Sequence, residues 1–379
     1  MNRILRGKGF RRVAYGAPVL VLALAGCVTA PDVREPFLTS PDAALRARAA
    51  FVANETALVD APAPSEWWQL FGDATLTALQ AEAAASNLDL LAATARIEES
   101  RAQLGFANAA RRPQLSADAS YARSALSENS PMAALGAPTS ATDNWLMGLQ
   151  AGWELDLWGH LRHLSDSAEA RLQASAYGMG AVKVSVAGDM ARTYLLLRGI
   201  QAQQTIVEEN RRIAENLVHL TESRQRNGVA TRYDAAAARA DLAGIEARLL
   251  QLAQQRDALM NALALLLGQP PRELDARLGS ADLPSMPARL SVGVPSELAR
   301  QRPDILQAEA RLRAAVADIG AAKADFYPRI SLTGNIGVQA FDFTDLGSWD
   351  SRRFLVGPTL YLPIFQGGRV IALNCHEQV

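Results

Sequence analysis

The chain has 379 residues, a formal net charge of −1, and 49% hydrophobic residues against 6% aromatic. Such a length buries one large core or two smaller ones, and the balanced charge, with no basic block beyond the first dozen residues, excludes a nucleic-acid-binding surface. Two cysteines far apart, Cys27 and Cys375, make no disulfide framework.

Arg3, Arg6, Lys8, Arg11 and Arg12 precede an apolar run from Val13 to Leu24, and Leu24-Ala25-Gly26-Cys27 follows. A basic region, a short apolar stretch and small residues form an export signal, too short to remain in a bilayer. The small-small-Cys ending resembles the bacterial lipobox. It implies a signal peptide over residues 1–26, cleavage before Cys27 and acylation of its thiol, with 27–66 an extended lipid-anchored segment. An ordinary signal peptide with a chance Cys is the competing reading. No later window reaches about 18 uninterrupted apolar residues, so a membrane-spanning part has to be a β-barrel.

The first repeat is expected over 67–270. Its helical segment runs to Pro113, where an alternating strand begins, 113–123: Leu115, Ala117, Ala119 and Tyr121 against Gln114, Ser116, Asp118 and Ser120. The Ser-, Gly- and Pro-rich stretch Ser124–Asn144 reads as an exposed hairpin loop. A second strand is predicted over 145–158, with Trp145, Met147, Leu149, Ala151, Trp153, Leu155 and Leu157 on one face. Alternation alone also fits a half-buried sheet in a soluble α+β protein.

Next come two long helices, 161–227 and 231–267. Gln203, Ile206, Asn210, Ile213, Leu217 and Leu220 keep a three-four spacing in the first. Leu242, Ile245, Leu249, Leu252, Arg256, Leu259, Leu263 and Leu266 keep it in the second. That spacing predicts coiled-coil packing, in an antiparallel pair turning at Asn227-Gly228. A helix of the first one's length reaches on the order of 100 Å.

After a linker, 271–296, the plan returns. Asp89–Ala117 superimposes without a gap on Asp304–Leu332, matching Gly105 with Gly320, Pro113 with Pro328, Asp89 with Asp304 and Arg96 with Arg311. A repeat this long indicates two similar halves rather than a solenoid. The second half, 297–369, is predicted to hold a helix and strands at 328–338 and 354–365, separated by the loop Ala340–Ser351. In the first half a long helical hairpin follows the second strand. Here only Val370–Val379 follow Arg369, without a heptad. The tail 370–379 reads as aberrant, with Cys375 and His376 incidental rather than a metal pair.

Several motifs together carry a family resemblance. They are Trp67-Trp68 with Phe71 and Asp73, Asn87-Leu88-Asp89-Leu90, Trp153–Gly159 (WELDLWG) and Gly268-Gln269-Pro270-Pro271. Val294-Pro295-Ser296, Arg302-Pro303-Asp304-Ile305, Phe326-Tyr327-Pro328 and Leu362–Arg369 (LPIFQGGR) complete the set. With strand pairs continuing into long coiled helices in two repeated halves, the chain resembles the TolC-like outer-membrane efflux proteins. The lipobox places it with the lipoprotein, NodT-like branch that serves resistance-nodulation-division (RND) pumps.

The resemblance implies a mainly α fold with transmembrane β: long helical hairpins plus four strands per protomer. Three protomers form a 12-stranded barrel over a helical periplasmic tunnel. It implies a homotrimer in the outer membrane, lipid-anchored through Cys27 and reaching into the periplasm. There it meets a periplasmic adaptor and an inner-membrane RND-type pump, for passive export of drugs or other small molecules. Arg226, Gly228, Val229, Thr231 and Asp234 match the family's helix-tip motif, which meets the adaptor, and Asp234 falls near the tunnel's constriction. Alternatively, Asp234 simply complements the helix dipole in a first turn. Without the last hairpin the channel is expected to be impaired.

Two other classes compete. For an enzyme there are four histidines, His160, His163, His219 and His376, and none has a carboxylate or Cys partner at metal-site spacing. No phosphate loop or nucleophile elbow is present. No catalytic residue, metal or cofactor beyond the covalent lipid is expected. A periplasmic structural or adaptor lipoprotein explains the lipobox and heptads, but not four alternating strands in two matching pairs.

Overall fold

The computed structural model describes residues 58–59, 64–285, 287, 290–291 and 300–368. Cys27, residues 1–26, Arg369, the tail, Cys375 and His376 therefore lie outside the described residues.

In chain order, leaving out helical turns of five residues or fewer, the elements are β1 (Leu58–Val59), α1 (Ala74–Ser86), α2 (Leu88–Ala110), β2 (Gln114–Ser124), β3 (Thr142–Leu155), α3 (His160–Arg226) and α4 (Arg232–Leu266). Then come β4 (Leu290–Ser291), α5 (Pro303–Ala324), β5 (Arg329–Ala340) and β6 (Arg352–Tyr361). They fall into two compact units that cut across both repeats. A strand unit takes Ser100–Leu172 and the described chain from Ala310 on. A helix unit takes the described parts of Glu35–Glu99 and Gln173–Glu309.

In the strand unit the sheet order is β2-β3-β5-β6, antiparallel throughout. All four strands shift from expectation, two of them by more than two residues, and the second starts at Thr142 rather than 145, inside the stretch read as a loop. The second ends at Leu155 rather than 158, because Asp156 leaves the ladder to cap α3, accepting from Leu161 N (3.1 Å) and Arg162 N (2.7 Å). The fourth spans 352–361 rather than 354–365. Pro363 has no N–H for a ladder.

Below the sheet, Trp158 stacks on Tyr327 at 5.0 Å and donates its Nε1–H to Pro328 O (2.7 Å). Arg171 pairs with Asp318 at 2.6 Å, and the Ser165 hydroxyl bonds Asn108 at 2.7 Å. Ala310, Ala314, Ala317, Gly320, Ala321 and Ala324 are the buried face of α5. The His163 ring lies so close to Gly320 that a Cβ there would sit 2.9 Å from it.

The helix unit has its core where α1, α3 and α4 meet, around Leu76, Leu79, Met190, Tyr194, Leu197 and Leu263, with Trp67, Trp68 and Phe71 packed at its margin. Asn87 explains the Asn-Leu-Asp-Leu motif. Its Oδ1 accepts from Asp89 N and Leu90 N to start α2, while its Nδ2 donates to Leu266 O at the end of α4.

A buried polar chain crosses this core. Asp73 caps α1 through Leu76 N and accepts from the Tyr194 hydroxyl (2.6 Å). Arg198, 3% exposed, donates to Tyr194 Oη (3.0 Å), Gln201 Oε1 (2.8 Å) and Gly279 O (2.6 Å). Burial, with Asp73 accepting from its hydroxyl, raises the Tyr194 pKa.

The two long helices stand within a residue of their expected limits. The predicted stripe of α4 is buried or half-buried throughout. That of α3 is a correction: Ile206, Ile213, Leu217 and Leu220 are 49–62% exposed. The buried and half-buried line is one residue on, through Val207, Arg211, Ala214 and Val218. Both lines keep three-four spacing, and a two-helix hairpin covers only one of them.

Candidate functional site

The sheet's register sorts its side chains by chemistry. Leu115, Ala117, Ala119 and Tyr121 stand opposite Ala151, Leu149, Met147 and Trp145. Those in turn meet Gly334, Ile336, Val338 and Ala340, and Phe354, Val356, Pro358 and Leu360 extend the row on β6. Residues directly opposite share a face, so all four apolar sets lie on one side. Gln114, Ser116, Asp118, Gln150, Glu154, Ser331, Thr333, Asn335 and Thr359 lie on the other, with Leu146 and Leu355 among them, as the registers pair them.

Aromatic side chains bracket the apolar face. At one end the tilted rings of Tyr121 and Trp145 lie 4.3 Å apart, and Phe343 meets Trp145 edge-on at 5.1 Å. At the other, Trp153 donates its Nε1–H to Arg111 O (3.1 Å). Trp145 and Trp153 are about 27 Å apart along β3 at the usual strand rise. That matches the height of the apolar band between the aromatic girdles of outer-membrane barrels. The outer edges of β2 and β6 pair with no strand among the described residues, and only closure satisfies such edges in lipid. No helix of the described residues is long and apolar enough to cross a membrane.

The second place is the tip between α3 and α4. Gly228 takes φ 75°, and Val229 N donates to Arg224 O (2.8 Å), closing α3 by a glycine turn. Thr231 and Asp234 form a capping box. Asp234 N donates to Thr231 Oγ1 (3.2 Å), and Asp234 Oδ2 accepts from Thr231 N and Oγ1, both at 2.8 Å. Those bonds, the backbone one first, lower the Asp234 pKa. Arg226, Gly228, Val229, Thr231 and Asp234 thus share one exposed turn, with Val229 66% and the neighbouring Tyr233 79% exposed. Across the hairpin Arg239 pairs with Glu222 at 2.7 Å.

Sequence reasoning missed Asp156 as a helix cap, the Trp158–Tyr327 stack and the Arg198 network. For the last, the local signal is Tyr194, Arg198 and Gln201 at helical spacing. Among the described residues no group of three or more His, Cys, Asp or Glu is placed to hold a metal.

A family model described as outer membrane efflux protein matches residues 79–269 and 294–377. The pyoverdine export outer membrane protein OpmQ of Pseudomonas aeruginosa is 32% identical over 83% of this chain. The chain spans 66% of that protein's length, just under two thirds. The cation efflux system protein CusC of Escherichia coli K12 is 30% identical over 92% of this chain and 74% of its own. Among solved structures, the outer-membrane channel OprN superimposes with a TM-score of 0.81 at 32% identity, covering 93% of this chain and 77% of that one.

Proposed function

We propose that this chain, which belongs to the outer membrane efflux protein family, is the outer-membrane duct of a tripartite export system. Three copies each contribute the four-stranded sheet to one closed barrel and their helices to a tunnel in the periplasm. The observation that carries this reading is the sheet itself. It is apolar on one face, bracketed by aromatics, mostly polar on the other, and open at both edges among the described residues. The exposed α3 line Ile206, Ile213, Leu217 and Leu220 gives a second copy apolar surface to cover.

Export is passive. The inner-membrane RND-type pump supplies the energy, coupled through a periplasmic adaptor that meets the tip at Arg226, Gly228, Val229, Thr231 and Asp234. Opening is a shift of packed helices at the tips rather than chemistry. The carboxylate of Asp234 is taken up by the capping box, so its first role is to hold the turn's shape. Relatives named for pyoverdine and for cations point to small-molecule cargo chosen by the pump. Acylation at Cys27 tethers the mature chain to the outer membrane.

The test is the state of the mature chain extracted from outer membranes in mild detergent. A stable trimer with conductance in planar bilayers is the expected result. A monomer or a non-conducting aggregate sinks the reading.

A further inference from the structure

One row of the sheet's polar face is unlike its neighbours. Asp118 on β2 stands opposite Gly148 on β3, Gly148 opposite Gly337 on β5, and Gly337 opposite Arg353 on β6. The row therefore carries an acid at one end, a base at the other and no side chain between. Three strand spacings separate the ends by about 14 Å.

The gap is enforced by the backbone. A Cβ on Gly148 would lie 2.9 Å from Ile336 O, and one on Gly337 would run into Met147 O. A cavity of about 170 Å³ follows, lined by Asp118, Gly148, Gln150, Asn335, Gly337 and Arg353 among others. Asp118 makes no side-chain hydrogen bond or ion pair among the described residues. Arg353 Nη1 donates only sideways, to Gln339 Oε1 at 3.2 Å.

Opposite charges on adjacent strands neutralise one another. Within one copy two glycine strands hold them apart, so over the bare floor each charge acts on whatever passes.

We propose that this row is a charge-balanced belt of the pore. Asp118 attracts cations and Arg353 attracts anions, and because the two balance, the barrel admits ions of both signs. The proposal rests on the pore reading above, in which the polar face lines the lumen. Rings of charged side chains at a pore wall set ion preference in this way. At physiological salt each charge acts over about 8 Å, comparable with its distance to the middle of the floor.

The test uses the full mature chain in planar bilayers, with the reversal potential read under a potassium chloride gradient. Asp118→Asn lowers the potassium-to-chloride permeability ratio by about twofold or more, and Arg353→Gln raises it by a similar factor. The double variant returns close to the unsubstituted value. Arg352→Gln, one residue away in sequence and on the apolar face by register, leaves the ratio unchanged. Unaltered ratios in both single variants, shifts in the same direction, or an equal shift from Arg352→Gln overturn the belt while leaving the pore intact. Absence of any conductance from the unsubstituted chain overturns the pore reading, and the belt with it.

Discussion

Helices α2 and α5 are two copies of one sequence pattern with opposite fates. In α5 the small residues Ala310, Ala317, Gly320 and Ala324 are buried, with His163 of α3 pressed on Gly320. Their counterparts in α2 are Ala95, Ala102, Gly105 and Ala109, and all four are exposed. Sequence fixes the capacity of a small-residue face to accept a close neighbour, whereas occupancy depends on which helix the connectivity brings there. For α5 the chain itself supplies α3. In the proposed trimer, the face of α2 falls to an adjacent copy.

The largest expected effect comes from the joint that only the second copy possesses. Tyr327 stacks under Trp158, while the matching position before β2 is Arg112. Trp158→Ala removes the stack and leaves Pro328 O without its donor. The expected loss is about 3–5 kcal/mol, seen as a lower melting temperature by circular dichroism. Unchanged melting would show that the β5 end of α5 is held by other contacts.

Next comes the pair of matched glycines. Gly320→Leu drives a side chain into the His163 ring and is expected to cost about 1–3 kcal/mol by overpacking. Gly105 has nothing within 4 Å of an added Cβ. Gly105→Ala is therefore expected to stabilise the isolated chain by up to about 1 kcal/mol through helix propensity. Gly105→Leu tests occupancy: if a second copy covers α2, it lowers the trimer fraction on native gels without loss of helicity. A trimer fraction insensitive to Gly105→Leu would break the parallel between the two helices.

Much of this architecture was legible in the sequence for a physical reason. Period-two alternation, Pro113, Pro328 and the Asn227-Gly228 turn are local signals, and each marks its element to within a few residues. Faces were less legible. The covered α3 stripe lies one residue from the expected one because Ile206 and Val207 begin two interleaved apolar lines, and nothing local says which one meets α4. Arg198 was illegible because its satisfaction depends on Gly279 O, far along the chain. The glycine row between Asp118 and Arg353 needed the register of three strand pairs. The helix-tip residues are gathered by one short turn, so sequence brought them together directly.

A smaller effect is expected at the tip, where Thr231→Ala removes the capping hydroxyl of α4 at a cost of about 1 kcal/mol. The hydrogen exchange of the first α4 amides should rise, while β2–β6 remain protected. Accelerated exchange in the sheet as well would mean that the two units open together.

The smallest effect is a pH dependence confined to the helix unit. Glu82 accepts from Arg277 (2.8 Å) and Gln269, and the hydrogen bond from Arg277 is the main cause of its lowered pKa. A carboxylate with a depressed folded-state pKa adds stability that is fully present above its unfolded value of about 4.3. That stability disappears as pH falls through the folded-state value. Both partners are partly exposed, with 30% and 47% of their side chains accessible, so solvent screening holds the contribution to about 0.2–1 kcal/mol. Glu82→Gln should therefore match the unsubstituted chain in the acid limb and fall slightly below it at neutral pH. The melting difference should narrow in high salt. A variant equally destabilised at every pH would assign the loss to packing against Gln269 rather than to the ion pair.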